Sequence, residues 1–470
     1  VSHTGFPALE QTLVRVALDD AGFSDAVSER YRKLERDAAK SLDDAGVSAS
    51  GRRTWIIPGR IEVLGKHVDY AGGRSLLCTV ERGIVVMAAP RTDRRVVLRD
   101  ARRRESTVVT LDAANFSSSQ APLPWSVYPR TVVRRLLYNF GELVVGADVA
   151  IASNLPPAAG VSSSSALVVG LTLALSALGG IDHDPRWLQS LVPRTRLAGY
   201  LGALENGLDF GDLAGERGVG TLGGAQDQTA ITCCAPGKLD VFGWAPVRHE
   251  REVPWPADHV FVIGVSGVVA AKTGAARERY NRVARTAHRI VAAWNERGGT
   301  ARTLADVLHE ASPGAPGEDI PPELLSVVRD GATDEFTADH LEARLHQFHA
   351  ETWHHVPQAA DAIATNNLVE FGNIAARSQL GAERALDNQI PETKHLVSMA
   401  RNLGAVASSA FGAGFGGSVW AMIPQQDAER FASRWRDKYV KLFPRSAHRA
   451  QFFETKPSAP AFEDVSAATR

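Results

Sequence analysis

The sequence predicts an α+β protein of two domains, and three observations carry that expectation. At 470 residues the chain exceeds what one hydrophobic core usually serves. Stretches of strand and helix periodicity are mixed along it without strict alternation. Near its middle, the apolar run Ala147–Ala152 meets a small-residue loop, Leu155-Pro-Pro-Ala-Ala-Gly-Val-Ser-Ser-Ser-Ser-Ala-Leu167, and then an apolar stretch to Leu178. That layout reads as strand, loop and long buried helix.

The loop organises the rest. Gly, Ala and Ser let backbone N–H groups approach an anion closely, and a helix N-terminus adds its positive dipole end. The hydroxyls of Ser162 to Ser165 suit phosphate oxygens or a magnesium ion. The spacing is neither G-x-x-x-x-G-K-[ST] nor G-x-G-x-x-G, which excludes the usual P-loop and disfavours a Rossmann dinucleotide site. Taken alone, a helix N-cap with spare serines explains the loop equally well.

In chain order, residues 1–50 read as a helical N-terminal extension, with apolar residues at helical spacing over Ala26–Ala45. A first domain follows over 51–240. Thr54–Leu64 reads as a strand interrupted at Pro58-Gly59, and further strands are expected at Gly83–Ala88, Arg95–Leu98 and Thr107–Leu111. Helices are expected at Tyr128–Tyr138, after the serine loop, and from Pro185 to about Glu205. Residues 206–220 read as an inserted Gly-rich loop. A second domain is expected over 241–470, with strands near Leu239–Phe242 and Val260–Val265 at its opening. Its centre, Lys272–Arg384, reads as mainly helical, and Ala405–Ile423 as strand, glycine turn, strand.

Composition excludes several functions. With 52 basic against 53 acidic residues there is no global electrostatic case for nucleic acid or an anionic membrane. No apolar run is long enough to span a bilayer, and no signal-peptide pattern is visible, so the expected setting is the cytoplasm. Cys78, Cys233 and Cys234 make neither a disulfide framework nor a zinc site, and the vicinal pair reads as small apolar filler in or beside a strand. His346, His349, His354 and His355 read as one polar helix face rather than a metal site.

Four segments carry the chemistry: Pro58-Gly-Arg-Ile-Glu-Val-Leu-Gly-Lys-His-Val-Asp-Tyr-Ala-Gly-Gly73, the serine loop, Gly223-Gly-Ala-Gln-Asp-Gln228, and Phe411-Gly-Ala-Gly-Phe-Gly-Gly417. In this order they resemble the signatures of the GHMP small-molecule kinases, and the first resembles that of the galactokinase family. The resemblance spans nearly the whole chain except residues 1–50 and the 206–220 loop.

It implies a two-domain GHMP kinase fold with mixed sheets and helices, the site lying in the cleft between domains. It also implies an ATP-dependent sugar 1-kinase that uses Mg2+ and is a monomer or small homo-oligomer. By resemblance Asp227 is the catalytic carboxylate and Arg60 the cation beside it; whether Asp227 is a base or a positioner stays open. Ala158, Ala159, Gly160, Val161, Ser162, Ser163, Ser164 and Ser165, with Gly414 and Gly416, would surround the ATP phosphates. Ser164 and Glu205 would hold the metal, with Glu216 as a competitor for the second place.

Lys66, His67, Asp69, Tyr70, Gly224 and Tyr280 would line the sugar site. Lys66 stands where the family has glutamate, and a buried lysine needs a partner. A substrate carboxylate, as in a uronic acid, would serve; so would Asp69, Glu62 or an ATP phosphate. Galactose or a neutral relative is placed ahead of an acidic sugar such as galacturonate. Ala158 and Ala159 replace residues often glycine in the family, which restricts positive φ there. A silent sugar- and ATP-binding regulator, or a kinase for another alcohol such as mevalonate or homoserine, stays as an alternative.

Overall fold

The structure, a computed structural model, describes residues 9–12, 14–111, 124–269 and 275–466. Residues 1–8 of the expected extension and 272–274 of the expected helical centre lie outside these.

Two sheets organise the chain. The larger has nine strands. Seven run in the spatial order Arg15–Val16, Phe462–Asp464, Arg53–Leu64, Arg74–Arg91, Gly146–Ser153, Arg95–Asp100 and Glu105–Thr110. The strand Lys238–Gly243 pairs beside Arg74–Leu77 and carries Arg248–Pro254 on its far side. The sequence places Leu239–Phe242 at the opening of a second domain; its backbone partners lie instead in this first sheet. The smaller sheet runs Ala407–Phe411, Ser418–Pro424, His259–Val265, Gln451–Thr455, all antiparallel.

The serine loop leads into the helix Ser163–Gly179, which is apolar nearly all round and buried along most of its length. Such a helix needs cover on every side. Its Leu171, Val168 and Ala174 join the main core with Ile57, Val86 and Leu136 from two strands and the helix Val127–Phe140. The opposite face of the sheet is closed by the N-terminal helix Asp25–Asp43, whose Tyr31, Leu34 and Leu42 pack on Val85 and Ala150. The stretch expected as one helix from Pro185 is two, Pro185–Leu191 and Arg194–Asn206, because Pro193 between them has no N–H to continue the ladder. The vicinal cysteines close the helix Gln226–Cys233 rather than a strand, and all three cysteines are buried and free.

The expected helical centre is seen in a series of helices from Ala275–Asn295 to Leu368–Ala385. One of them, Ala338–His349, continues as a π-helical turn, Ala350–His355, so the four histidines do lie along one helical run. Among the described residues no helix is long and apolar enough to cross a membrane.

The last strand is tied back to the first sheet. Glu463 accepts from Arg53 Nε and a second guanidinium nitrogen at 2.6 and 2.7 Å, and from Arg15 Nε at 2.9 Å. Truncating Leu171 to Ala within the central helix is expected to lower unfolding free energy by about 2–5 kcal/mol, read as a reduced urea midpoint. Val369→Ala, at a side chain 78% exposed, should shift it by less than about 0.5 kcal/mol.

Candidate active site

Along the strand Arg53–Leu64 the residues Arg60 and Glu62 are two apart, so both side chains leave the same face. That face looks onto the start of the helix Gln226–Cys233. Arg60 Nε donates to Asp227 Oδ1 at 2.8 Å, a terminal nitrogen lies 2.6 Å from the same oxygen, and another donates to the Gly160 carbonyl of the serine loop. Glu62 Oε2 accepts from Gln226 Nε2 at 2.7 Å. Two adjacent helix residues are thereby bonded to two alternate strand residues.

Gly59 lets the serine loop close on the strand: a Cβ there would sit 2.8 Å from Val161 O and from Leu155 Cδ2. The main-chain register slips between Pro58 and Arg60, so the interruption expected at Pro58-Gly59 is a bulge within one continuous strand.

Ser165, in the first turn of the serine-loop helix, sits 3.2 Å from Asp227 Oδ2 and 3.4 Å from Glu205 Oε2. Glu205 also accepts from Gln228 Nε2 at 2.7 Å. Of the two glutamates considered for a metal, Glu205 lines the cavity, while Glu216 is held by Arg134. The hydroxyl brought to Glu205 is that of Ser165; Ser164 is not among the residues lining this cavity. Glu205, Asp227 and Ser165 form a set of hard oxygen donors that fits a magnesium ion.

Around this centre lies a polar cavity of about 40 Å³, lined in part by Arg60, Glu62, His67, Asp69, Gly224 and Tyr280. Asp69 Oδ2 accepts from the backbone N–H of Gln226 at 3.2 Å. A Cβ on Gly224 would lie 2.4 Å from that same oxygen, so the space above Gly224 is taken by Asp69 rather than left for a ligand. His67 adopts φ 56°; its Nδ1 lies 3.2 Å from the Tyr70 hydroxyl and its Nε2 3.3 Å from Ala413 O in the glycine turn. Tyr70 thus stands behind His67, outside the cavity lining, and burial pushes its phenol up to about 12. Tyr280 reaches in from the helix Ala275–Asn295, its ring 5.8 Å from that of His67.

Lys66 is not in the cavity. It is 2% exposed, and its Nζ donates to Ser378 Oγ at 2.9 Å; Ser378 in turn donates to Glu351 on the π-helical turn. Neither Asp69 nor Glu62, the two protein groups that the sequence offered, is its hydrogen-bond partner. Arg344 fixes the same loop from beneath by donating to His67 O at 2.5 Å.

The glycine turn closes over the serine loop: the backbones of Gly412 and Gly417 lie against Gly160, and Ser418 Oγ donates to Ala159 O at 2.5 Å. Gly414 abuts Asn388, and Gly416 turns the chain at φ 140°. Ala158 takes φ 50° and Ser162 φ 60° despite their Cβ atoms, so the alanine at 158 does not prevent the left-handed path.

Beyond the loop a second, wider groove of about 850 Å³ opens. Its lining includes Ile84, Trp125, Ile151, Leu167 and Ser163, with Arg82, Arg102 and Arg103 beside the carboxylates of Asp37 and Asp100. An apolar slot edged by guanidiniums suits a heteroaromatic base with a polyphosphate tail. Apart from Ser163, none of these residues was assigned to a site from sequence. The run Arg102-Arg103-Arg104 was the available signal, and it reads equally as a solvated turn. Away from both cavities, Asp240, His249 and Glu252 are the one metal-capable trio among the described residues, and Glu252 already pairs with Lys238.

Three family models match the chain in sequence order: the galactokinase galactose-binding signature over 46–90, the GHMP kinase N-terminal domain over 127–234 and the GHMP kinase C-terminal region over 359–441. The chain belongs to the galactokinase family of GHMP kinases. It is accordingly a phosphotransferase, a sugar kinase of the galactokinase type.

A galactokinase from Roseiflexus sp. (strain RS-1) is 26% identical over 397 residues, covering 83% of this chain and 88% of its own. One from Actinobacillus pleuropneumoniae serotype 5b (strain L20) is 25% identical over 403 residues, covering 83% and 90%. The fold matches the crystal structure of Lactococcus lactis galactokinase complexed with galactose at a TM-score of 0.71 and 21% identity, covering 91% of this chain and 99% of that one. The galactose-binding signature spans Arg60 to Tyr70, and the N-terminal domain spans the serine loop, Glu205 and Asp227.

In this galactokinase-family cleft the tight contact at Gly224 sets the position of Asp69. Gly224→Ala is expected to displace Asp69 and to lower kcat/KM by roughly 10²-fold, as a shift of about 1 Å at a reacting centre does. Steady-state kinetics of the folded variant, verified by circular dichroism, test this.

Proposed function

We propose that this kinase transfers the γ-phosphoryl group of ATP to the anomeric hydroxyl of galactose or a close neutral relative, giving a sugar 1-phosphate and ADP. One observation carries the reading: the first turn of a single helix separates the two cavities, with Ser163 on the wide groove and Ser165 on the polar cavity beside Asp227. ATP in the groove would present its terminal phosphate to the helix N-terminus, where backbone N–H groups and the dipole favour anions. The sugar would lie in the polar cavity with its anomeric hydroxyl toward Asp227.

Each residue has a stated task. Arg60 pairs with Asp227 and neutralises charge that develops on the transferred group. Asp227 orients the acceptor hydroxyl and is positioned to take its proton. A magnesium ion held by Glu205 and Ser165 would neutralise phosphate charge. Asp69, His67 and Tyr280 bind sugar hydroxyls, while Tyr70 and Lys66 hold the loop that carries His67 and Asp69. Regions 51–240 and 241–470 would supply the two sides of the cleft, and the buried free thiols suit a reducing cytoplasm.

The charge of the cavity supports a neutral sugar over a uronic acid. Among the described residues lining it, Arg60 is the one guanidinium or ammonium and is already bonded to Asp227, while Glu62, Asp69 and Glu205 are carboxyls. A sugar carboxylate would meet like charge there.

ADP release with Mg-ATP across galactose, arabinose, galacturonate and glucuronate tests the proposal. Turnover of a neutral sugar is expected, and Asp227→Asn should reduce it by about 10²-fold or more. Sugar and ATP binding without turnover would favour the silent regulator instead.

A further inference from the structure

Glu62 is 3% exposed, and only half of its carboxylate is satisfied. Oε2 is held by Gln226, whereas Oε1 is buried without a hydrogen-bond partner while the side chain lines the polar cavity. A buried carboxyl oxygen with no protein partner is costly, and in native proteins water, an ion or a ligand completes it. Its surroundings do not complete it. Lys66 and Arg60 act on it only at a distance, each bonded elsewhere, and Asp69 adds a like charge. Burial therefore dominates and pushes the Glu62 carboxyl up to about 8, against the pull of both cations. A donor arriving at Oε1 would relieve that penalty.

We infer that Glu62 Oε1 accepts a hydrogen bond from one hydroxyl of the acceptor sugar and so selects for the sugar that carries it. This rests on the assignment of the polar cavity as the sugar site. The geometry is prearranged: Gln226 fixes the plane of the carboxylate through Oε2, and the strand that places Arg60 against Asp227 places Glu62 two residues on, on the same face. Asp69, whose Oδ2 takes the Gln226 N–H, stands as a second carboxylate toward the ring. A sugar hydroxyl donates readily to a carboxylate, and a site built around that acceptor discriminates against an analogue without the hydroxyl.

The experiment measures kcat/KM for galactose and each of its monodeoxy analogues that retains the anomeric hydroxyl, with the unaltered protein, Glu62→Gln and Glu62→Ala. Assayed above pH 8, where the Glu62 carboxyl is ionised, the unaltered protein is expected to disfavour one particular deoxy sugar by roughly 10- to 150-fold, the range for a hydrogen bond to a charged acceptor. Glu62→Ala should erase that preference while leaving the others, and Glu62→Gln, the isosteric variant that keeps a carbonyl acceptor, should retain part of it. The KM for ATP should not change in either variant.

If Glu62 merely braces Gln226, both variants lose activity against every sugar in proportion and the pattern of preference persists; that result overturns the inference and leaves the sugar-kinase reading standing. Failure of the unaltered protein to phosphorylate any of these sugars overturns both.

Discussion

The contact on which the site depends is the clamp made by Arg60. One guanidinium joins the strand Arg53–Leu64, the carbonyl of Gly160 in the serine loop and the carboxylate of Asp227 at the head of a helix. These three elements are far apart in sequence and come from different layers. A buried ion pair of this kind contributes little to net stability, because desolvation opposes the Coulomb attraction. Its effect is positional. Moving any one partner leaves a charge or a carbonyl stranded in a low-dielectric interior, so the three elements are held to one relative arrangement.

Much of this was legible in the sequence because the elements that build it are short and local. The bulge at Pro58-Gly59, the serine loop with its apolar helix, the Asp227 helix and the glycine turn each carry their own punctuation, and their order along the chain pointed to a known family. What sequence could not supply was rotation about a helix and direction off a strand. Ser164 and Ser165 are adjacent and chemically identical; only the helical phase decides which meets Glu205. Glu205 was preferred with Glu216 as its competitor, and the fold places Arg134 against the second.

Lys66 is the clearest case of a residue whose partner lies in a distant segment. Ser378 is 312 positions further on, and nothing near Lys66 in sequence announces it. Read alone, a lysine in a sugar loop asks for an anionic ligand. In the fold it braces the loop from below, through a serine and Glu351, and the cavity itself is left rich in carboxyls. The wide groove was missed for a related reason. Its apolar walls look like ordinary core residues, and its arginines look like a solvated turn, until strands from separate parts of the chain bring them together.

The return of the final strand to the first sheet bears on how the molecule assembles. Arg53 and Glu463 are 410 residues apart, yet their bond lies at the edge of the strand that carries Arg60. During synthesis that edge stays open until the segment around Glu463, 410 residues later, has left the ribosome. The catalytic strand therefore waits for its neighbour, and pairings of such long sequence separation form late and slowly. An unpaired edge is also the part of an incomplete sheet most exposed to association with other chains. Completion of this sheet depends on a segment 410 residues beyond the strand that it covers.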